Sequence, residues 1–369
     1  MKILIINSIL YSVENNTVHE VNSIKDTMIV SLANEFVAKE HQITLVAAEE
    51  YKPISEEGCS FNIIYLPSNL KRIFNPSLLP LHLNLFSYLR KHKEEYDLVI
   101  TSEVFSFNSL FASIVMPQKT IIWQELGKYN KMMKEIPARI WYNVIARCFM
   151  NKPLIVARSP VAKRFIQSFN LRVYEDIISH GSNLTLPKSG VSKKKQFIVV
   201  ARLVPGKNII SMISVYKKYI TTFSKKDYKL YIAGDGPMRN EIEEYVFANG
   251  LDGQVVLLGN VIHDKLTDYF ASSLCMFCNS SKDLNMIAIE ESISLGTPII
   301  TNTVPYSAEW IKNNTLGIAK DNWDEHDIHE IVENSKLYIN NCMEYSPKLS
   351  RAYIVDRFIN ILKSPSPAH

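Results

Sequence analysis

The chain has 369 residues, of which 47% are hydrophobic and 21% charged, and its formal net charge at pH 7 is +4. These proportions are typical of a globular protein, and the length exceeds what one hydrophobic core usually organises, so two domains are expected. The small charge argues against a nucleic-acid-binding protein, and no apolar run reaches the roughly 20 residues that span a bilayer.

The first half of the sequence alternates short apolar runs with helical patterns. The run at 2–7 is bounded by Asn and Ser, and it is interpreted as a buried first strand rather than a signal peptide. A long helix is predicted over 78–96. Repeated strand–helix units predict an α/β doubly wound sheet. The other predicted strands are 41–49, 61–67, 97–103, 119–125 and 153–158.

The second half restarts the same alternation after the stretch "LTLPKSGVSKKKQ", which is interpreted as a linker. The predicted domains are therefore 1–185 and 186–345, and a final helix within 346–369 is expected to pack back toward the first domain. The predicted strands of the second domain are 197–203, 228–236, 254–261, 274–279 and 298–302.

The five cysteines are odd in number and scattered, so no disulfide framework is predicted, and a cytoplasmic protein is expected. Cys275 and Cys278 form a C-x-x-C inside an apolar run with no second pair. Buried thiols are the preferred interpretation, and metal or redox chemistry is the alternative.

Polar residues that follow the strands of the second domain indicate an anion site. Parallel sheets bind ligands beyond the carboxyl ends of their strands, in this arrangement in the crevice between the two domains. Arg202 and Lys207 follow one such strand, and Gly234 follows the next, just before a helix N-terminus that can offer free N–H groups. Two cations beside such a helix end would suit a diphosphate.

Several other nucleotide motifs are missing from the sequence. No G-x-G-x-x-G follows the first strand, and there is no Walker A sequence. There is also no Asp-x-Asp to bridge a metal to a diphosphate. The expected site therefore contains no metal and no cofactor, and the cations would neutralise the diphosphate directly.

Two carboxylates eight positions apart, Asp283 and Glu291, flank the start of an apolar helix. With the surrounding motifs they resemble the C-terminal domain of family-4 glycosyltransferases, which have the GT-B fold of two Rossmann-like domains facing a central cleft. The resemblance extends from Phe197 to Asn302, and "SLANEFVAKEHQITLVAAE" and "IISHGSN" extend it loosely into the first half. The motifs that carry it are "VARLVPGKN", "YIAGDGPMRNEIEEY", "VVLLGNV" and "LGTPII".

The resemblance implies roles for individual residues at a donor site. Glu291 would bind the ribose hydroxyls, and Asp283 would lie near the donor sugar. Arg202 and Lys207 would bind the diphosphate, and the backbone of Val261 would meet the base. Backbone N–H groups facing the sugar and diphosphate would come from Asn285, Met286 and Ile287, and Gly234 would also belong to the donor site. The catalytic set implied is Arg202, Lys207, Asp283 and Glu291.

The sequence also departs from the family pattern. The first acid is Asp283 instead of Glu, and "LNM" replaces the Gly-rich stretch that usually follows it. The loop after the first strand, which contains Asn16, has no glycine. Gln124 and Glu125 stand where the family often has a histidine. Acceptor-side candidates are Asn16, Glu125 and His180. For Glu125 the alternative is a role in capping the loop, and for His180 it is a structural role in a turn.

These features predict a metal-independent glycosyltransferase that uses a nucleotide-diphosphate sugar, and the family resemblance implies that it retains the configuration at the anomeric carbon. UDP is expected only because it is common in the family. The expected acceptor is a lipid-linked saccharide in the synthesis of a bacterial surface polysaccharide such as capsule or O-antigen. The departures leave open a non-catalytic GT-B subunit that binds a polypeptide or stabilises a partner transferase, and a sugar-nucleotide epimerase remains a third possibility.

The segment 119–172 suggests a peripheral membrane surface. It contains eleven Lys or Arg residues and two Glu residues, a net charge of +9, together with seven Trp, Tyr and Phe residues. A basic, aromatic segment is suited to anionic lipid headgroups. A solvated face around a buried core is the alternative.

Overall fold

The computed structural model describes residues 1–11, 13, 16–130, 135–182, 184, 192–281 and 286–363. It divides into two compact units. The first contains Met1–His180 and the last helix from Ile354 onward, and the second contains Gly181–Tyr353. The predicted site residues Asp283 and Asn285, and most of the predicted linker, lie outside the described residues.

The first unit is built on a six-stranded parallel sheet in the order β3-β2-β1-β4-β5-β6. Its central strands are buried because helices cover the sheet, as their continuous apolar sequences require. The strands are β1 Lys2–Ile6, β2 Gln42–Ala48, β3 Asn62–Leu66, β4 Leu98–Ser102, β5 Thr120–Gln124 and β6 Leu154–Ala157. The helices are α1 Met28–Ala38, α2 Leu83–His92, α3 Phe107–Val115, α4 Ile136–Ile140, α5 Ala146–Phe149 and α6 Pro160–Gln167, with a π turn at Trp141–Ile145 between α4 and α5.

The predicted helix over 78–96 is shorter than expected. It begins at Leu83, because Pro80 disfavours helical geometry in the residue before it and cannot donate a backbone hydrogen bond. Leu79 and Leu81 are buried in the irregular stretch before the helix, where a turn closes between Asn75 and Leu79, so their apolar character reflects core packing outside any helix.

The second unit contains another six-stranded parallel sheet, in the order β12-β11-β10-β7-β8-β9. Both sheets have flanking helices, which confirms the predicted α/β doubly wound architecture. The strands are β7 Gln196–Val200, β8 Lys229–Ala233, β9 Val255–Gly259, β10 Cys275–Phe277, β11 Ile299–Thr301 and β12 Gly317–Ala319. The helices are α7 Ile209–Thr222, α8 Arg239–Ala248, α9 His263–Ser272, α10 Ile287–Ser294, α11 Ser307–Asn313, α12 Glu325–Glu333 and α13 Ser335–Tyr345.

The last helix, α14 (Arg351–Lys363), contributes to the core of the first unit. The Phe358 ring lies 5.3 Å from the Trp123 ring in an edge-to-face arrangement. Arg357 donates to the backbone carbonyl of Ile177 and pairs with Asp176. The chain therefore returns to the first unit after completing the second.

The described residues bear on two expectations, the lack of a membrane-spanning helix and the burial of the C-x-x-C thiols. No described helix is both long and apolar enough to cross a bilayer. Cys275 and Cys278 are buried free thiols, and burial raises the pKa of Cys275, so the buried-thiol interpretation fits the structure.

Candidate functional site

The second sheet has a topological switch point between β7 and β10. From β7 the chain runs outward through β8 and β9, and it then returns to the other side of β7 to form β10, β11 and β12. Loops that leave the carboxyl ends of two such neighbouring strands diverge and open a crevice, which is the usual ligand position in this architecture.

The loop that contains Arg202 and Lys207 leaves β7 at this switch point. It is fixed to the segment that follows β10. The N–H of Ser281 donates to the carbonyl of Gly206 at 2.9 Å, and the Nδ2 of Asn208 donates to the carbonyl of Asn279 at 3.0 Å. The structure therefore places both predicted diphosphate ligands on one loop, bound to the segment that leads toward α10.

Gly234 allows the loops after β7 and β8 to pack directly together. Its φ is +130°, and a Cβ on this residue would lie 2.0 Å from the carbonyl oxygen of Ala201. Its N–H donates to the carbonyl of Gly259 at 2.8 Å, which ties in the loop after β9, where Val261 lies. The close backbone approach expected at Gly234 is therefore an approach to the backbone of Ala201 and Gly259.

Glu290 and Glu291 are adjacent in the sequence, but helix α10 turns their side chains toward different faces. Ile287 and Glu291 are one turn apart, on the more exposed face of the helix. Glu290 is buried and accepts a hydrogen bond of 2.6 Å from the hydroxyl of Tyr306, so its position is structural. Met286, at the helix start, is buried with its sulfur 3.3 Å from the sulfur of Cys278.

The first unit has a cavity of about 410 Å³ at the carboxyl ends of β1, β4, β5 and β6. Asn16 and Glu125, two of the three predicted acceptor-side residues, line this cavity. The third, His180, is buried behind it, and its Nε2 lies 3.4 Å from the Oε1 of Glu125.

Glu125 is held as a carboxylate by two neighbours. The buried guanidinium of Arg158 donates to its Oε2 at 2.9 Å and stacks on Trp123, 3.6 Å from the ring centre. Burial opposes ionisation, but the hydrogen bond with His180 and the charge of Arg158 outweigh it and lower the pKa of Glu125 to about 2.

A second carboxylate in the cavity, Glu103, was not identified from the sequence. It accepts hydrogen bonds from the N–H of Glu125 at 2.9 Å and from the side-chain amide of Gln124 at 2.7 Å. Burial and the charge of Glu125 raise the pKa of Glu103 to about 7, although Arg158 and the N–H donors act in the opposite direction. The position of Glu103 directly after strand β4 was the available signal, as was that of Arg158 after β6.

The basic segment contains an exposed apolar face on the helical stretch 136–149. Four of its hydrophobic side chains are at least half exposed, and Arg139 and Arg147 are exposed beside them. The four are Ile136, Ile140, Val144 and Phe149.

Most of the aromatic residues counted in the basic segment do not contribute to this surface. Trp123, Trp141, Tyr142 and Phe169 are buried, as is Arg158, so these residues fit the alternative of a solvated face around a buried core.

Residues 185–343 match the profile of a protein family described as "Glycosyl transferases group 1". This region contains the switch point of the second sheet and the predicted donor residues.

Two curated proteins are similar over parts of the chain. An uncharacterised glycosyltransferase of Methanocaldococcus jannaschii is 30% identical over 125 residues, which cover 34% of this chain and 31% of the relative. An alpha-monoglucosyldiacylglycerol synthase of Streptococcus pneumoniae is 20% identical over 190 residues, covering 47% of this chain and 42% of the relative. The matched regions thus span less than half of either relative.

A solved structure is similar over nearly the whole chain. The crystal structure of Anabaena Alr3699/HepE in complex with UDP is 14% identical, covers 99% of this chain and 100% of its own, and has a TM-score of 0.66. At this identity the similarity defines the fold. The chain therefore has the GT-B fold, and its residues 185–343 resemble the group 1 glycosyltransferases.

Proposed function

We propose that this protein is a retaining, metal-independent glycosyltransferase that uses a nucleotide-diphosphate sugar, with UDP as the nucleotide. The observation that carries the proposal is the loop with Arg202 and Lys207 at the switch point of the second sheet, inside the region that resembles the family. The complex of the similar Anabaena protein with UDP supports the choice of nucleotide.

The proposed chemistry follows from the charges at this position. The bond between the anomeric carbon and the diphosphate breaks, and its electron pair goes to the phosphate oxygen. Arg202 and Lys207 stabilise the negative charge that develops there. The acceptor hydroxyl attacks the same face of the sugar, and its proton moves to the departing phosphate. Asp283 and Glu291 bind the donor sugar and the ribose.

Replacing Arg202 or Glu291 by alanine is expected to weaken UDP binding about tenfold or more. Each change removes a hydrogen bond to a charged group, and such bonds contribute roughly 1.5–3 kcal/mol. Isothermal titration calorimetry of UDP, GDP and their sugars with the whole protein measures this effect. Activity should persist in EDTA.

Two substitutions in the second unit serve as matched controls. Lys218→Ala removes an exposed cation on α7, and Glu309→Ala removes an exposed carboxylate on α11. Both should leave UDP affinity unchanged. If none of the nucleotides or nucleotide sugars binds at millimolar concentration, the proposed function is wrong, and a non-catalytic subunit becomes the better interpretation. Formation of a new nucleotide sugar without an acceptor would instead indicate an epimerase.

The proposed acceptor is a lipid-linked saccharide at the cytoplasmic face of a bacterial membrane, used to build a surface polysaccharide. The support is the exposed face of the stretch 136–149, where Ile136, Ile140 and Val144 lie beside Arg139 and Arg147. Apolar side chains flanked by arginines suit the boundary between headgroups and acyl chains. The similar streptococcal protein is named as a synthase of a glycosylated diacylglycerol, which is consistent with a lipid acceptor.

Ile140→Glu is expected to abolish most binding to anionic vesicles. The new charge opposes both apolar insertion and attraction to anionic headgroups, and each basic residue at such a surface contributes only about 1 kcal/mol. Co-sedimentation with vesicles that contain phosphatidylglycerol, compared with neutral phosphatidylcholine vesicles at low and high salt, measures the binding. High salt should reduce the binding of the unmodified protein because the attraction is screened.

Phe247→Glu is the matched control, since Phe247 is 76% exposed but belongs to α8 of the second unit. It should sediment like the unmodified protein. Equal recovery of the unmodified protein in the supernatant with every lipid would exclude the membrane surface and favour a soluble acceptor.

A further inference from the structure

A chain of hydrogen bonds runs from the backbone of Pro67 to the cavity of the first unit. The buried His82 has its Nδ1 3.0 Å from the carbonyl oxygen of Pro67. A carbonyl oxygen can only accept, so Nδ1 carries the proton. Burial lowers the pKa of His82, which keeps the ring neutral and leaves Nε2 as an acceptor.

The tautomer of His82 determines the direction of the next two hydrogen bonds. Ser8 Oγ lies 3.0 Å from Nε2 of His82 and must donate its proton to it. Ser8 Oγ then accepts from the side-chain amide of Asn108 at 2.8 Å. The amide nitrogen of Asn108 is thereby fixed toward Ser8, and its oxygen Oδ1 is left for another partner.

Asn108 Oδ1 has no hydrogen-bond partner, although the residue is only 4% exposed and lines the cavity. Ser8 also lines the cavity and retains a second acceptor lone pair. A buried acceptor without a donor costs free energy, which a ligand with an O–H or N–H group can recover. The base of the cavity therefore selects for a hydrogen-bond donor.

The charges that line the cavity nearly balance, so they do not select for an anion. Among the described residues they are Glu103, Glu125, Arg158 and Lys128. Arg158 is balanced by Glu125, and Lys128 is exposed. Arg158 Nε is also buried without a partner, so a group that both donates and accepts suits the cavity best. A hydroxyl group has this property, whereas a phosphate group brings negative charge next to the ionised carboxylate of Glu125.

We propose that this cavity binds the uncharged, hydroxyl-rich sugar of the acceptor, with Asn108 and Ser8 accepting hydrogen bonds from its hydroxyl groups. The inference depends on the proposed function for its biological role, and it narrows the acceptor to one whose terminal sugar carries no phosphate or carboxylate. His82 is a positioning residue in this scheme, because it acts only through Ser8.

The first experiment compares small ligands on the unmodified, full-length protein by saturation-transfer NMR. The probes are the methyl glycosides of glucose, galactose and N-acetylglucosamine, their deoxyfluoro analogues and glucose 6-phosphate. Fluorine cannot donate a hydrogen bond, so fluorination at the recognised hydroxyl should weaken binding about threefold to tenfold. The sugar phosphate should bind more weakly than any neutral glycoside that binds.

The second experiment tests the residues. Asn108→Leu should reduce the affinity for the best glycoside about threefold to tenfold, and Ser8→Ala should act in the same direction. Ser113→Ala is the matched control, because Ser113 is buried on the same helix and bonds to the carbonyl of Ser109 without lining the cavity. Thermal unfolding of each variant shows whether it still folds. If a variant does not fold, the comparison of neutral and phosphorylated sugars on the unmodified protein still tests the inference.

The outcomes separate this inference from the proposed function because UDP is titrated into the same samples. Equal or tighter binding of the sugar phosphate, or no binding of any neutral glycoside to the folded protein, would overturn the inference. If UDP nevertheless binds, the proposed function stands. Glycoside binding that depends on Asn108 in a protein that binds no nucleotide would support the inference and contradict the proposed function.

Discussion

Replacing Arg158 by methionine is expected to lower the free energy of unfolding by about 3 kcal/mol, because it leaves the carboxylate of Glu125 without the buried cation that pairs with it. Arg158 is buried, pairs with Glu125 at 2.9 Å and stacks on Trp123. Its charge also opposes the rise in the pKa of Glu103. Methionine keeps much of the volume and the apolar contact, so the loss reports mainly on the charge. Urea unfolding monitored by circular dichroism measures the effect.

The control for Arg158 is an ion pair that is exposed on both sides. Lys195→Met removes the partner of Asp227 at the surface of the second unit and should leave the free energy of unfolding nearly unchanged, because water and salt screen an exposed pair. Adding Glu125→Gln to Arg158→Met should recover part of the loss, because it removes the carboxylate that has lost its counter-charge. If the Arg158 variant is as stable as the control, the ion pair does not stabilise the first unit.

Gly234→Ala is expected to cost about 3 kcal/mol or more and to weaken UDP binding. The φ of +130° is unfavourable for any residue with a Cβ, and that atom would lie 2.0 Å from the carbonyl oxygen of Ala201. The loop after β7 must shift to relieve this overlap, and the shift displaces Arg202, which directly follows Ala201. Urea unfolding and UDP calorimetry measure the two effects.

Gly253→Ala provides the matched control, since an added Cβ there meets no atom within 4 Å. It should leave the free energy of unfolding within about 0.5 kcal/mol of the original and UDP affinity unchanged. Normal stability and UDP affinity in the Gly234 variant would show that the loop tolerates a side chain and that its position is not critical for the nucleotide.

The sequence by itself determined the fold class, because strands buried on both faces of a parallel sheet must be apolar throughout. Eleven of the twelve strands correspond to predicted apolar runs, and β12 was missed because its sequence, Gly-Ile-Ala, contains only one large apolar residue. The strand-end rule also selected Arg202, Lys207 and Glu125. The start of α2 was misplaced because apolar spacing does not distinguish a helix from a buried irregular stretch such as Leu79–Leu81.

Only the tertiary structure decided the partners of the side chains. Glu290 and Glu291 are adjacent in the sequence, but a step of about 100° around the helix turns Glu290 toward Tyr306, sixteen residues away. Arg158 meets Glu125 from a different strand, and Asn108 bonds to Ser8 across a separation of one hundred residues. The carbonyl of Pro67 sets the tautomer of His82, His82 makes Ser8 a donor, and Ser8 in turn accepts from the side-chain amide of Asn108. That order depends on packing between distant segments, which no local pattern in the sequence records.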